Sequence, residues 1–182
     1  LDDNLLTTPG LAMKAVIKQL STMLGICQEM LQKARECALS YNHKLKNEIS
    51  IDEESVDEMQ KDITHYLVEI TQNELEENER KLIPALLHSV NDIEKVGDYC
   101  ESLTRLTQRA YENDLTFSDG AKVELEKLFD KTYSLMRHTR KALDYNDEKS
   151  AMITLSIEKE IDTLIDTYKM THIERLEDKM CI

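Results

Sequence analysis

The sequence predicts an all-α fold of long antiparallel helices, and three observations carry that expectation. Helix breakers are scarce, with four Gly and two Pro in 182 residues. Leu, Ile, Met, Glu and Lys are abundant, a composition typical of helical bundles. Several stretches also carry an apolar stripe in alternating steps of four and three residues, the period of helices packed lengthwise.

Residues 1–8 read as a lead-in linker, and Thr8-Pro9 as a helix start, with a capping hydroxyl ahead of proline in the first turn. The stripe of the first helix is Val16, Leu20, Met23, Cys27, Met30, Ala34, Cys37, Tyr41. That helix runs about thirty residues, roughly 45 Å at the rise of an α-helix. The polar run 42–49 is expected as a turn, and Ser50-Ile51-Asp52-Glu53 as the capping box of the second helix. Val56, Met59, Ile63, Tyr66 and Ile70 form its stripe. An acidic break at 73–78 separates it from the third helix, whose early Pro84 kinks it or marks its true start. The third stripe is Leu86, Val90, Ile93, Gly97, Cys100, Thr104, Thr107, Tyr111. Residues 113–120 are the clearest loop, with Ser118 as the next cap. Helix four follows through Leu125, Leu128, Phe129, Leu135, Met136 and Leu143. Asp147 caps helix five, whose stripe includes Ile157, Ile161, Leu164 and Tyr168 and whose end lies beyond Ile173.

The two halves resemble each other at an offset of 105 residues. Leu20 aligns with Leu125, Leu24 with Phe129, Leu31 with Met136, Val56 with Ile161, and Met59 with Leu164. The acids keep step too: Glu53 with Glu158 and Asp57 with Asp162. The expected organisation is therefore tandem three-helix bundles, the first over 9–113 and the second over 118–182. The counterpart of the third helix would begin near position 181, so the second bundle is truncated. Its open apolar seam is left to a partner chain, to a segment beyond this stretch, or to solvent.

Composition also excludes functions. A net charge of -13 argues against holding nucleic acid through its phosphates, which needs a basic surface. No run approaches the ~20 apolar residues of a membrane span, and no signal peptide is recognisable. The first residue is Leu rather than Met, which suggests a piece of a longer chain. Cys27, Cys37, Cys100 and Cys181 show no Cys-x-x-Cys spacing; three lie on apolar faces and read as small buried hydrophobes in a reducing compartment. No phosphate loop, nucleophile elbow or triad motif is present. His43, His65, His88, His138 and His172 lack the paired spacing of metal ligands. A di-iron bundle enzyme would need Glu-x-x-His pairs facing inward, and none lies on a stripe. No catalytic residue is assigned, and the chain is not read as an enzyme.

The chemistry-bearing stretch is Ser89 to Cys100, which sets a glycine on the buried stripe with carboxylates beside it. Glycine inside a helix costs roughly 1 kcal/mol against alanine, so Gly97 is expected where another backbone or a ligand comes close. Glu94 and Asp98 each follow a stripe residue and stack on one flank; Glu53 with Asp57, and Glu158 with Asp162, repeat the spacing. Acids four apart usually mark a solvated face. Acids at the rim of a helix interface repel unless a base or a cation neutralises them, and Lys95 and Arg105 are the bases to consider. Two helices each offering a stacked pair make an oxygen-rich site for iron, manganese, magnesium or calcium.

At Asn91-Asp92-Ile93-Glu94-Lys95-Val96-Gly97-Asp98-Tyr99 the sequence resembles the D-x-E-R-I-G-D-H signature of the PhoU family. The resemblance implies twin three-helix bundles whose E-x-x-x-D motifs bind metal clusters, and it falls on Glu53, Asp57, Glu94, Asp98, Glu158 and Asp162. Lys95 stands where Arg is usual, which keeps the charge but loses the planar fork. Tyr99 stands where His is common. The opening, Leu1 to Ala12, is similar to the junction after the membrane part of bacterial sodium/phosphate cotransporters, whose cytoplasmic tail is PhoU-like. What this implies is a regulatory domain at the cytoplasmic face of the plasma membrane that modulates phosphate uptake. Its implied partners are the transporter part of the same parent chain, phosphate recruited through bound metal, and a second copy of the chain. A free-standing PhoU-type adaptor of phosphate-specific transport and starvation signalling is the alternative.

Overall fold

A computed structural model describes residues 1–177, which form five α-helices and one short 3-10 helix with no strand. Cys181 and the expected start of a sixth helix lie outside the described residues. The 3-10 helix, Asp3–Thr7, is tied down rather than free. Leu5 and Leu6 pack on the core, and the Tyr66 hydroxyl donates to the Asp2 carbonyl at 2.7 Å.

Helix α1, Pro9–Leu39, starts with proline in its first turn, where a missing N–H leaves no bond unmade; the Thr8 side chain does not cap it. Helix α2, His43–Ile70, begins a full two turns earlier than the capping-box reading places it. Asn42 caps it, its Oδ1 accepting from the Lys44 and Leu45 amides. No breaker lies between Asn42 and Ser50, and Ile49 is fully buried, so the apolar stripe extends back past the expected box. Ser50 is freed for another role and donates to Glu101 Oε1 at 3.0 Å.

Helix α3, Glu77–Glu112, opens with a reciprocal capping box between Glu76 and Glu79 and carries Pro84 inside it on the exposed side. Helix α4, Asp119–Tyr145, starts at the Ser118 cap and ends at Asn146 in the left-handed conformation. Asp147 Oδ1 then accepts from the Lys149 amide, and helix α5, Glu148–Glu177, runs back along α4.

Helix α1 is the centre of the molecule. It packs on α2 and α3 on one side and on α4 on the other, while α5 packs on α4. Lys33 meets Asp52 at 2.6 Å, which fixes α1 and α2 antiparallel. Cys27 Sγ donates to the Ile93 carbonyl at 3.4 Å, a contact of parallel α1 and α3. Arg35 pairs with Asp130 at 3.0 Å and Ser21 donates to Asp144, so α1 and α4 are antiparallel. The whole α1 stripe from Val16 to Cys37 is buried. Tyr41 and Tyr111, which end the α1 and α3 stripes, stack with ring centroids 4.9 Å apart. Burial pushes the Cys27 and Cys100 thiols up to about 12, so both stay protonated hydrophobes.

Candidate metal centre

The site lies where α2 and α3 run antiparallel with their acidic flanks facing. Two contacts clamp the helices on either side of it: Ser50 to Glu101, and the Gln60 amide to Asn91 Oδ1 at 2.9 Å. Below the rim, Val56, Ile93, Gly97 and Cys100 are buried. Asp57, Glu94 and Asp98 each follow one of these buried residues, so packing of the stripe presents their carboxylates at the interface edge, and Glu53 stands one turn before Asp57.

Glu53, Asp57 and Asp98 each offer a carboxylate oxygen, and these oxygens lie within 4.8 Å of one another. Glu94 stands one turn before Asp98 and feels the same charges. The Glu94 carboxyl is raised above its ordinary range by burial, then by Asp98 and Asp57, with Lys95 opposing. Glu53 is raised by burial, then by Asp57, Glu101 and Asp98. Both shifts have the same origin: burial at the rim first, and then the crowding of carboxylates there.

Neither expected base forms an ion pair with Glu53, Asp57 or Asp98. Lys95 pairs with Asp92 at 3.5 Å and Arg105 with Glu101 at 2.7 Å. Lys61 reaches Asp57 at 3.8 Å from an exposed position, where such a pair contributes little. The donor set, all hard oxygens from two rigid helices, fits a hard or borderline cation, and a thiolate- or imidazole-seeking metal finds no ligand in it.

At Gly97 the nearest atoms belong to side chains rather than to another backbone. A methyl group there would meet Val56 Cγ1 at 3.4 Å and Met30 Cε at 3.7 Å, ordinary side-chain contacts with no backbone crowding it. Glu158 and Asp162 are also placed differently from Glu53 and Asp57. Both are exposed on α5, and among the described residues no further carboxylate joins them in a ligand cluster. The reason is topological: no described helix stands beside α5 as α3 stands beside α2.

Glu101 belongs to the rim and was not singled out from the sequence. Its signal was available, because it follows stripe residue Cys100 as Glu94 follows Ile93 and Asp98 follows Gly97. Opposite in character is the far end of the α4–α5 hairpin. There Arg175 grips Glu124 through two parallel bonds, 2.8 Å and 2.7 Å, beside a groove of about 640 Å³ that Phe117, Leu128 and Tyr168 help to line. The guanidinium holds the Glu124 carboxyl below its ordinary range.

Residues 20–107 match the PhoU domain. The matched stretch holds α2, most of α1 and α3, and the entire acidic rim, and it ends before α4. No curated protein and no solved structure matches the chain.

Proposed function

From the PhoU domain at residues 20–107, we propose that the chain is the regulatory domain of a sodium-dependent phosphate transporter, held at the cytoplasmic face of the membrane. The single observation that carries this reading is the meeting of Glu53, Asp57 and Asp98 inside the PhoU segment. The likeness of Leu1–Ala12 to the junction after a transporter's membrane part adds the link to sodium-driven uptake. In this reading the first repeat spans 9–113 and the second begins at 118.

The rim binds a divalent or trivalent cation such as iron, manganese, magnesium or calcium, with Glu53, Asp57 and Asp98 as ligands and Glu94 alongside. Glu158 and Asp162 form a second pair, which joins a cation site where a third helix stands beside α5 as α3 stands beside α2. A bound cation offsets the burial and the repulsion that together raise Glu53 and Glu94. It also supplies the positive charge that a protein of net charge -13 needs to attract phosphate. Phosphate abundance is thereby converted into occupancy of the rim, and occupancy into a change at the transporter part of the parent chain.

Two experiments test this. Elemental analysis of protein prepared without chelator should find bound metal, and Glu53→Ala with Asp98→Ala should lose it at unchanged helix content; wild-type protein that takes up no metal sinks the ligand role. Deleting the domain from its parent should alter sodium-driven phosphate uptake. Uptake unchanged at every phosphate level sinks the transporter reading and leaves the free-standing adaptor.

A further inference from the structure

Helix α1 forms the floor of a polar groove of about 340 Å³ that lies between the start of α2 and helix α4. Gly25, Gln28, Gln32 and Glu36 recur along that floor at helical spacing. Leu45 of α2, with Tyr133 and Arg140 of α4, lines the rest. None of the rim acids Glu53, Asp57, Glu94 and Asp98 borders it.

Two features of the floor ask for an occupant. Gln28 is only 6% exposed, yet its side chain makes no hydrogen bond among the described residues. The other buried polar side chain of α1, Ser21, has its partner in Asp144. A buried amide left unpaired is costly, so Gln28 is suited to a group that enters the groove. Gly25 is the second feature. It is buried in the middle of α1, where alanine would serve the helix better. A methyl group there would lie 2.9 Å from Arg140 Nη1 and 3.0 Å from its Cζ, so glycine is what admits the guanidinium to the face of α1. Arg140 reaches Asp144 through Nε at 3.9 Å, and neither of its Nη atoms makes a hydrogen bond among the described residues.

The chemistry of the lining selects the ligand. A carboxamide donates from its nitrogen and accepts at its oxygen, so a simple anion or a bare cation satisfies only half of it. Lys33 is held by Asp52 and Glu48. That leaves the Arg140 guanidinium facing two carboxylates, Glu29 and Glu36, which form no ion pair among the described residues. The acids repel inorganic phosphate, and the guanidinium repels a cation. We propose that the groove binds a small zwitterion, a free α-amino acid. Its carboxylate lies on Arg140 above Gly25, its ammonium turns towards Glu29 one helical turn along, and the Gln28 amide bridges the two. Such a ligand brings both the acceptor and the donor that Gln28 lacks, and it leaves Tyr133 and Leu45 to contact its side chain. The volume stands at the small end of ligand sites, as a molecule of this size requires.

Isothermal titration of the chain with each of the common L-amino acids at millimolar concentration tests this, with glucose and inorganic phosphate alongside. At least one amino acid should bind with one-to-one stoichiometry, and glucose and phosphate should not. For the amino acid that binds, its N-acetyl derivative and its decarboxylated amine should each bind tenfold or more weakly, because each lacks one of the two charges. Gln28→Leu, which removes the amide, and Gly25→Ala, which displaces the guanidinium, should each weaken binding to a similar degree. Circular dichroism checks that both variants keep their helices, and the two ligand derivatives test the same contacts on unaltered protein. Because no rim acid borders the groove, the outcome is independent of the cation test. A chain that binds no amino acid, or that binds glucose or phosphate instead, overturns the proposal. So does binding that survives both substitutions or the loss of either ligand charge.

Discussion

The three-helix bundle and the α4–α5 hairpin are built on one sequence pattern and differ in how they handle burial and charge. Helix α1 has fifteen buried residues and is packed from both sides, whereas α5 has two. In the bundle the rim acids Glu53 and Glu94 are raised, by burial and by neighbouring carboxylates; in the hairpin Glu124 has its guanidinium and is lowered. The lesson is that duplicated periodicity alone does not assemble a cluster among the described residues. Glu158 and Asp162 keep the spacing of Glu53 and Asp57, yet a carboxylate pair becomes a cluster only when a neighbouring helix brings it a third oxygen.

The largest effect that separates the halves is in the core. Leu67→Ala, at a fully buried position in α2, should cost about 3 kcal/mol in denaturant unfolding. Ile157→Ala on α5, with open space around the helix to relax into, should cost about half that. Equal losses would break the contrast. Native-state hydrogen exchange should likewise find α5 opening well before α1.

The two halves should also answer acid in opposite senses. The Glu124 carboxyl titrates below its unfolded value near 4.5, so its contribution is present above that pH and is lost as pH falls through the lowered value. Glu124→Gln should therefore cost about 1.5 kcal/mol at neutral pH, and progressively less on acidification. For Glu53 and Glu94 the sign reverses. Their folded values lie above 4.5, so the favourable contribution is complete below that pH and disappears as pH rises through the raised values.

Two smaller effects sharpen the comparison inside the bundle. Gly97→Ala should stabilise the protein by about 0.7 kcal/mol, because helix propensity improves while the added methyl meets only ordinary contacts. A loss of stability would mean that the helices approach more closely there. Glu53→Gln should stabilise metal-free protein by roughly 0.5 kcal/mol at neutral pH by removing one of the crowded charges. Thermal melts with added manganese should reverse the order, since the variant gives up a ligand; a variant that stays ahead with metal counts against the cation site.

The helical class and the three stripes of the bundle were legible because burial repeats with the helix and every stripe residue from Val16 to Cys37 on α1 obeys it. Asp57, Glu94 and Asp98 were legible for the same reason, as residues one step past the seam. Starts of helices were read less well. Asn42 caps α2 while Ser50, inside a motif that resembles a cap, spends its hydroxyl on Glu101. Local motifs name what a residue is able to bond, and tertiary packing selects among those bonds. At Gly97 the sequence signals a missing side chain but not which neighbour faces it, and the nearest atoms are those of Val56 and Met30. The Arg175–Glu124 grip was invisible, since its partners are 51 positions apart and nothing periodic joins them.

The sealed thiols give the molecule an internal gauge. With Cys27 and Cys100 held protonated at about 12 and buried at the α1–α3 contact, a thiol-reactive dye at neutral pH should find them only when those helices part. Labelling rates at the two positions thus record, from inside, how often the bundle breathes. Whatever slows that breathing, a cation at the rim above all, writes itself into the same clock.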